Sequence, residues 1–130
     1  MTTSTQLPEG APEEVVTNAL IRDVDLTPFG FKGSLALITL DNGLDHTRPN
    51  TFGPLSLAAL DAAITDAASR KPAAIGITGK PFIFAAGADL SALSFLSKRE
   101  QSLAIGKLGH DVFRRLDEIG IPTFAFINGL

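Results

Sequence analysis

The chain has 130 residues, of which 45% are hydrophobic and 19% charged, and its net charge is −3 at pH 7. This length predicts one domain with a packed core, and the lack of a basic stripe argues against nucleic acid as a partner. With no cysteine, disulfides and thiol catalysis are excluded, and because the sequence has neither a signal peptide nor the ~20-residue apolar run of a membrane span, we expect a cytoplasmic protein with no membrane partner.

The first part of the chain predicts a β-hairpin. Residues 1–17 contain Pro, Gly and paired Glu without periodicity, so we expect a flexible lead. Apolar and polar residues alternate over 19–26 and again over 34–40, which indicates two half-buried strands. A turn rich in Pro and Gly at 27–33 separates them, and the pair is therefore predicted to be antiparallel.

The rest of the chain predicts alternating helices and strands. In order we expect a loop at 41–53, a helix at 54–70, a strand at 73–78, a short helical piece at 90–96, a longer helix at 99–119 and a strand at 122–127. Both helices carry apolar residues at three- and four-residue spacing, and Pro54 suits a first helical turn. The two short strands are continuously apolar, which is typical of parallel strands buried on both faces. Ligands in such sheets bind at the carboxyl ends of the strands, so we expect residues 85–89 and 128–129 to be neighbours.

A run of small residues, Ala85 to Ala88, lies between the strand at 73–78 and the helical pattern that starts near residue 90. A helix start presents unpaired N–H groups that suit an anion or a developing oxyanion, and no bulky side chain shields the backbone here. The same composition also fits an ordinary tight turn. We expect Asp89 to be a helix N-cap rather than a catalytic carboxylate, and Phe82 and Phe84 to be core residues.

Three segments in this order resemble the enoyl-CoA hydratase/isomerase (crotonase) family. They are Arg48-Pro49-Asn50-Thr51-Phe52, then Phe84-Ala85-Ala86-Gly87-Ala88-Asp89-Leu90 after Thr78-Gly79, and last Pro122-Thr123-Phe124-Ala125-Phe126-Ile127-Asn128-Gly129. The resemblance covers residues 20–130 and is most similar to the hydratase portion of multifunctional fatty-acid oxidation proteins. It implies an α/β fold, the N-terminal half of the crotonase-like ββα spiral, with residues 18–130 as the front of a domain that continues beyond Leu130.

The resemblance also implies a site. In the family, a backbone N–H at the position of Ala88 is one of two donors to the thioester oxygen of an acyl-CoA substrate. The implied substrate-binding residues are Arg48, Ala86, Gly87, Ala88, Asp89, Leu90 and Ser91. Many relatives carry a basic residue near Ser91, so the ionic contact with a CoA phosphate is in question here. Arg48 has an equal alternative as a solvated loop residue, and coenzyme A is part of the substrate, with no separate cofactor and no metal expected.

The implied activity is that of a lyase of fatty-acid β-oxidation, which hydrates 2-enoyl-CoA to 3-hydroxyacyl-CoA. In the family the second oxyanion donor and the acid/base glutamates lie downstream of the Asn-Gly turn, so we expect these 130 residues to be inactive alone. The alternatives are enoyl-CoA isomerisation or other acyl-CoA chemistry, and a non-catalytic acyl-CoA-binding module. The family analogy implies a homotrimer or a larger multifunctional chain. His46 and His110 have no partners at metal or nucleophile spacing.

Overall fold

The computed structural model describes residues 8–130 and contains four strands and two helices. They are β1 (Asn18–Asp25), β2 (Ser34–Asp41), α1 (Pro54–Ser69), β3 (Ala74–Gly79), α2 (Arg99–Glu118) and β4 (Thr123–Phe126), with short 3₁₀ turns at Thr27–Phe29 and Leu93–Phe95. This order confirms the predicted hairpin, helix, strand, helix, strand. Neither helix of the described part is long and apolar enough to cross a bilayer.

The strands form one sheet in the order β1-β2-β3-β4. β1 pairs antiparallel with β2, whereas β2–β3 and β3–β4 are parallel, as predicted. Alternate residues of β2 (Ala36, Ile38 and Leu40) are fully buried and pack against α1, while α2 packs against α1. The core therefore lies on one face of the sheet, and the carboxyl ends of β2, β3 and β4 point to the same edge.

The prediction that the last strand is buried on both faces is wrong. Phe124 and Phe126 of β4 are 53% and 48% exposed. β4 is at the edge of the sheet, with β3 as its one neighbour among residues 8–130. The continuous apolar sequence therefore indicates a strand here, but it does not show whether other elements cover one face of that strand or both.

Contacts with the start of α1 hold the segment before β1 in place, contrary to the predicted flexible lead. Residues 1–7 of that predicted lead lie outside the described residues. Glu14 is buried, and its Oε2 accepts the Leu55 N–H at 2.8 Å. Its Oε1 accepts the N–H and the hydroxyl of Ser56 at 2.9 and 2.6 Å. Gly53, the N-cap of α1, has no side chain to do this, and a Cβ there would lie 2.4 Å from the Glu14 Cδ. Glu14 therefore caps the helix from a distant part of the chain.

Candidate functional site

The loop after β3 runs beside residues 50–52, and three main-chain hydrogen bonds join the two segments. The Ala86 N–H donates to the Asn50 oxygen at 2.8 Å. The Phe52 N–H donates to the Gly87 oxygen, and the Asp89 N–H donates to the Phe52 oxygen, both at 2.9 Å. This pattern is a parallel bridge between Phe52 and residue 88. The small residues of the loop are thus held in a defined backbone conformation.

The bridge determines where the Ala88 N–H points. In a parallel bridge the hydrogen bonds of Phe52 go to the residues on either side of Ala88, so the N–H and C=O of Ala88 itself point away from Phe52. No oxygen of residues 8–130 accepts a hydrogen bond from the Ala88 N–H. Ala88 also lines an apolar cavity in the described part of the chain. The predicted oxyanion donor is therefore available to a ligand.

This cavity has a volume of about 850 Å³ and lies between the sheet edge, the loop and α2. Its walls include Leu40, Ile77, Phe84, Ala88, Ile105 and Phe113. The ionisable side chains on its wall are His110 and Arg114, and no Asp or Glu of residues 8–130 lines it. Apolar clefts of this size with a few convergent polar groups are typical of small-molecule sites. The cavity suits an apolar tail, with a backbone N–H as the polar contact.

The other predicted contacts lie in a second, smaller groove. Arg48, Asp89 and Ser91 line a space of about 240 Å³ together with Glu13 and Thr51. Arg48 and Ser91 are exposed, so the groove is open to solvent. Of the predicted residues, Gly87 and Ala88 thus line the apolar cavity, and Arg48, Asp89 and Ser91 line the polar groove. Ala86 and Leu90, the remaining predicted contacts, are exposed.

The predicted helix start at Asp89 is wrong. The Oδ1 of Asp89 accepts the Ser91 N–H at 2.9 Å, which closes a local turn, and the helical piece is confined to the 3₁₀ turn Leu93–Phe95 with Ala92 as its N-cap. Short side-chain bonds of Asp to the backbone two residues ahead favour turns as much as helix starts. The Ala88 N–H is consequently unpaired because of the bridge at Phe52 and not because it lies at a helix start, and no helix dipole contributes to the site.

Phe82 is another incorrect prediction, while Phe84 is confirmed. Phe82 is 75% exposed and has a positive φ of 67°, and its ring meets that of His46 edge to face at 6.2 Å. Phe84 is partly buried against the core and lines the cavity. The positive φ of Phe82 turns the chain at this residue, so its side chain faces solvent while that of Phe84 packs against the core.

Two asparagines without a predicted individual role, Asn50 and Asn128, hold the loop from both sides. The Asn50 amide donates to the oxygens of Leu40 and Phe84 at 2.9 and 3.0 Å. Asn128 Oδ1 accepts the Gly79 N–H at 3.1 Å, and its Nδ2 donates to the Gly79 and Lys80 oxygens. Residues 128–129 thus contact 79–83, the first residues of the loop, and no hydrogen bond in the described part of the chain joins them to 85–89, the residues of the prediction. For Asn128 the available signal was its place directly after an apolar strand, where a buried amide needs partners, whereas Asn50 lies among polar residues that gave no such signal.

Lys80 shapes the segment that carries Arg48. Its side chain is 3% exposed, and the ammonium donates to Asn42 Oδ1 and to the main-chain oxygens of Leu44, Asp45 and Arg48 at 2.5–3.0 Å. Within the same segment, hydrogen bonds from the Thr47 hydroxyl and N–H lower the pKa of the exposed Asp45 carboxyl. A buried ammonium needs such acceptors, and here they fold the loop at 42–48 around it. No group of three potential metal ligands occurs in the described residues.

Comparison with known proteins agrees with this fold, although no family model matches. The chain is 35% identical over 107 residues to the fatty acid oxidation complex subunit alpha of Shewanella loihica; the match covers 74% of this chain and 15% of that one. It resembles a Mycobacterium tuberculosis enoyl-CoA isomerase structure with a TM-score of 0.61 and 27% identity, covering 81% of this chain and 40% of that chain. Human enoyl-coenzyme A hydratase domain-containing protein 3 has the same fold, with a TM-score of 0.67, 20% identity and coverage of 85% and 40%.

Proposed function

Because fold and sequence together place the chain in the enoyl-CoA hydratase/isomerase (crotonase) family, we propose that it supplies the acyl-CoA-binding part of a 2-enoyl-CoA hydratase. The named role of the Shewanella relative favours fatty-acid oxidation as the setting. The chain spans about 15% of that relative's length, so the reaction, its cytoplasmic location and assembly into a trimer or a multifunctional chain belong to the proposal. The substrate brings its own coenzyme A, and we propose no separate cofactor.

One observation carries the proposal: Ala88 lines the apolar cavity, and its N–H has no acceptor among residues 8–130. Addition of water to an enoyl thioester places negative charge on the thioester oxygen. A donor already aimed at that oxygen in an apolar site stabilises the transition state by about 3–4 kcal/mol. The bridge to Phe52 holds the donor in place before the substrate arrives, so no loop ordering opposes binding.

The chemical step needs more than this donor. Hydration requires a group that activates water at C3 and a group that delivers a proton at C2, and carboxylates are the usual choice. No carboxylate of residues 8–130 lines the cavity. We therefore expect the 130-residue chain to bind acyl-CoA without hydrating it, and the acid and base of the proposed hydratase to come from residues beyond Leu130.

The donor is tested by nuclear magnetic resonance on the purified chain with two ligands that differ only in the carbonyl oxygen. Acetyl-CoA has the thioester oxygen, whereas S-ethyl-CoA, a thioether, lacks it. We expect acetyl-CoA to shift the Ala88 amide proton and to slow its exchange with solvent, while S-ethyl-CoA does neither. The Ala86 amide, which donates to Asn50, is the internal control and should be protected throughout. An Ala88 amide that responds equally to both ligands, or to neither, contradicts the proposal.

A separate assay tests the expected inactivity. Crotonyl-CoA is incubated with the 130-residue chain, and loss of the enoyl absorbance is followed. We expect binding without turnover. Sustained hydration at an enzymatic rate would show that an acid and a base are present among these residues, and the assignment of those groups to another part of the protein would be wrong.

Double-bond isomerisation is the second candidate. It uses the same oxyanion donor, and the 27% identity to the Mycobacterium tuberculosis enoyl-CoA isomerase favours it. The two reactions differ in the placement of acid and base groups, so a longer form of the protein would distinguish them by its product from a 3-enoyl-CoA. A non-catalytic acyl-CoA-binding module predicts binding without either product.

A further inference from the structure

The Asn50 side chain is fully buried and uses its whole amide. Its Nδ2 donates to the main-chain oxygens of Leu40, at the end of β2, and Phe84, in the loop. Its Oδ1 accepts the Asn42 N–H at 3.0 Å, and its main-chain oxygen accepts the Ala86 N–H. One residue therefore joins the sheet edge, the segment at 42–50 and the loop that carries the candidate donor.

We propose that Asn50 is the positioning residue for the Ala88 donor; the inference rests on the proposed function. Asn50 holds the loop at Phe84 and at Ala86, on the approach to Ala88. Phe52, two residues after Asn50, then forms the bridge that turns the Ala88 N–H away from the segment. Residues 50–52 thus determine the course of 84–89, and the side chain of Asn50 determines the place of residues 50–52 against the sheet.

Only an amide satisfies this position. The side chain must donate two hydrogen bonds to carbonyl oxygens and accept one from an N–H, inside the protein and away from water. Aspartate has the same shape but would place a second oxygen against the oxygens of Leu40 and Phe84. Alanine would remove the amide that bonds the Phe84 oxygen and the Asn42 N–H, which is costly in a buried site, and would leave the Leu40 oxygen with the Lys80 N–H at 2.9 Å. Either change removes the side-chain hydrogen bonds that join the loop at Phe84 to the sheet edge at Leu40.

The test compares dissociation constants for acetyl-CoA and S-ethyl-CoA in Asn50→Asp and Asn50→Ala. Their ratio measures the contribution of the thioester oxygen. We expect the preference for acetyl-CoA to fall about three- to ten-fold in both variants, the range of one hydrogen bond, while S-ethyl-CoA binding changes little. A residue that only supports the fold would weaken both ligands together. A folded Asn50 variant that keeps the preference of the unaltered chain overturns the inference.

Asn42→Ala is the matched control. It removes an Asn side chain from the same loop, together with hydrogen bonds to Arg48, Pro49 and Lys80, but it leaves the main-chain N–H that donates to Asn50. We expect it to retain the acetyl-CoA preference. Loss of the preference in Asn42→Ala to the same extent as in Asn50→Asp would show that general loosening of the loop is sufficient, and it would overturn the specific role of Asn50.

The unaltered chain provides a measurement that does not depend on the variants folding. We expect the Asn50 Nδ2 protons to be slow in exchange and to shift with acetyl-CoA but not with S-ethyl-CoA, because they are joined to the donor loop. Identical responses to the two ligands overturn the inference. If the unaltered chain shows no preference for acetyl-CoA and no response at Ala88, the proposed function itself has failed, and the two failures are thereby distinguished.

Discussion

Glu14→Ala should destabilise the fold far more than a surface substitution, because Glu14 caps α1. The change removes three hydrogen bonds to Leu55 and Ser56. A lost N-cap costs about 1 kcal/mol, and an unpaired buried donor adds about 1–3 kcal/mol. Ser56 is fully buried, whereas Leu55 is 58% exposed and water can replace its partner. We therefore expect a loss of about 3 kcal/mol in the free energy of unfolding.

The assay is urea unfolding followed by circular dichroism, with a thermal melt as a second measure. For a domain of this size, a loss of that order lowers Tm by roughly 10 °C. Glu14→Gln retains one acceptor and should lose about half as much. Glu13→Ala is the matched control, since its neighbouring side chain is exposed and should change stability by no more than about 0.5 kcal/mol. If Glu14→Ala and Glu13→Ala unfold at the same urea concentration, the capping assignment is refuted, and the segment before β1 is the flexible lead that the sequence predicts.

Two further predictions concern glycines and acid stability. Gly79→Ala should lower the free energy of unfolding in urea by about 3 kcal/mol, because its Cβ would lie 2.0 Å from a loop carbonyl oxygen. Gly106→Ala, with nothing within 4 Å of its Cβ, should stabilise α2 by up to about 1 kcal/mol. Equal effects of the two substitutions would contradict the close approach at residue 79. Hydrogen bonding with Arg70 lowers the pKa of Asp66 below its usual 3.8, so this pair stabilises the fold above that value and its contribution is lost as the pH falls through the lowered pKa. Asp66→Asn should therefore flatten the decline of the urea midpoint below pH 3.8, and an unchanged decline would assign it to other carboxyls.

Sequence periodicity predicted the order and type of the elements because it reflects local rules. The alternation in 19–26 and 34–40 and the helical spacing in 54–70 record which face of each element is apolar. Pro54 at the first helical position and Gly120, with a φ of 73° just after α2, mark their helix ends through backbone sterics alone. These features required no knowledge of distant residues, and the structure confirms them.

The errors occurred where a distant contact decides the outcome. Asp89 has the chemistry of a helix cap, but its N–H is bonded to the distant Phe52 and its side chain closes a turn with Ser91. Phe82 and Phe84 look alike in sequence, and only the path of the loop sends one outward. Glu14 sits among polar residues that suggest a flexible segment, yet the uncapped start of α1 lies beside it. In each case the local sequence permits two conformations of similar energy, and tertiary packing selects one.

The sequence by itself therefore determined the α/β class, the hairpin, the parallel strands and the small residues that let a ligand approach the backbone near Ala88. Only the tertiary structure decided that the Ala88 N–H is unpaired, because that depends on the bridge to Phe52, which is remote in the chain. It also decided that Asn50 is buried with its amide fully bonded. Periodicity reports the average environment of a residue, whereas the direction of a single N–H depends on which segment packs beside it.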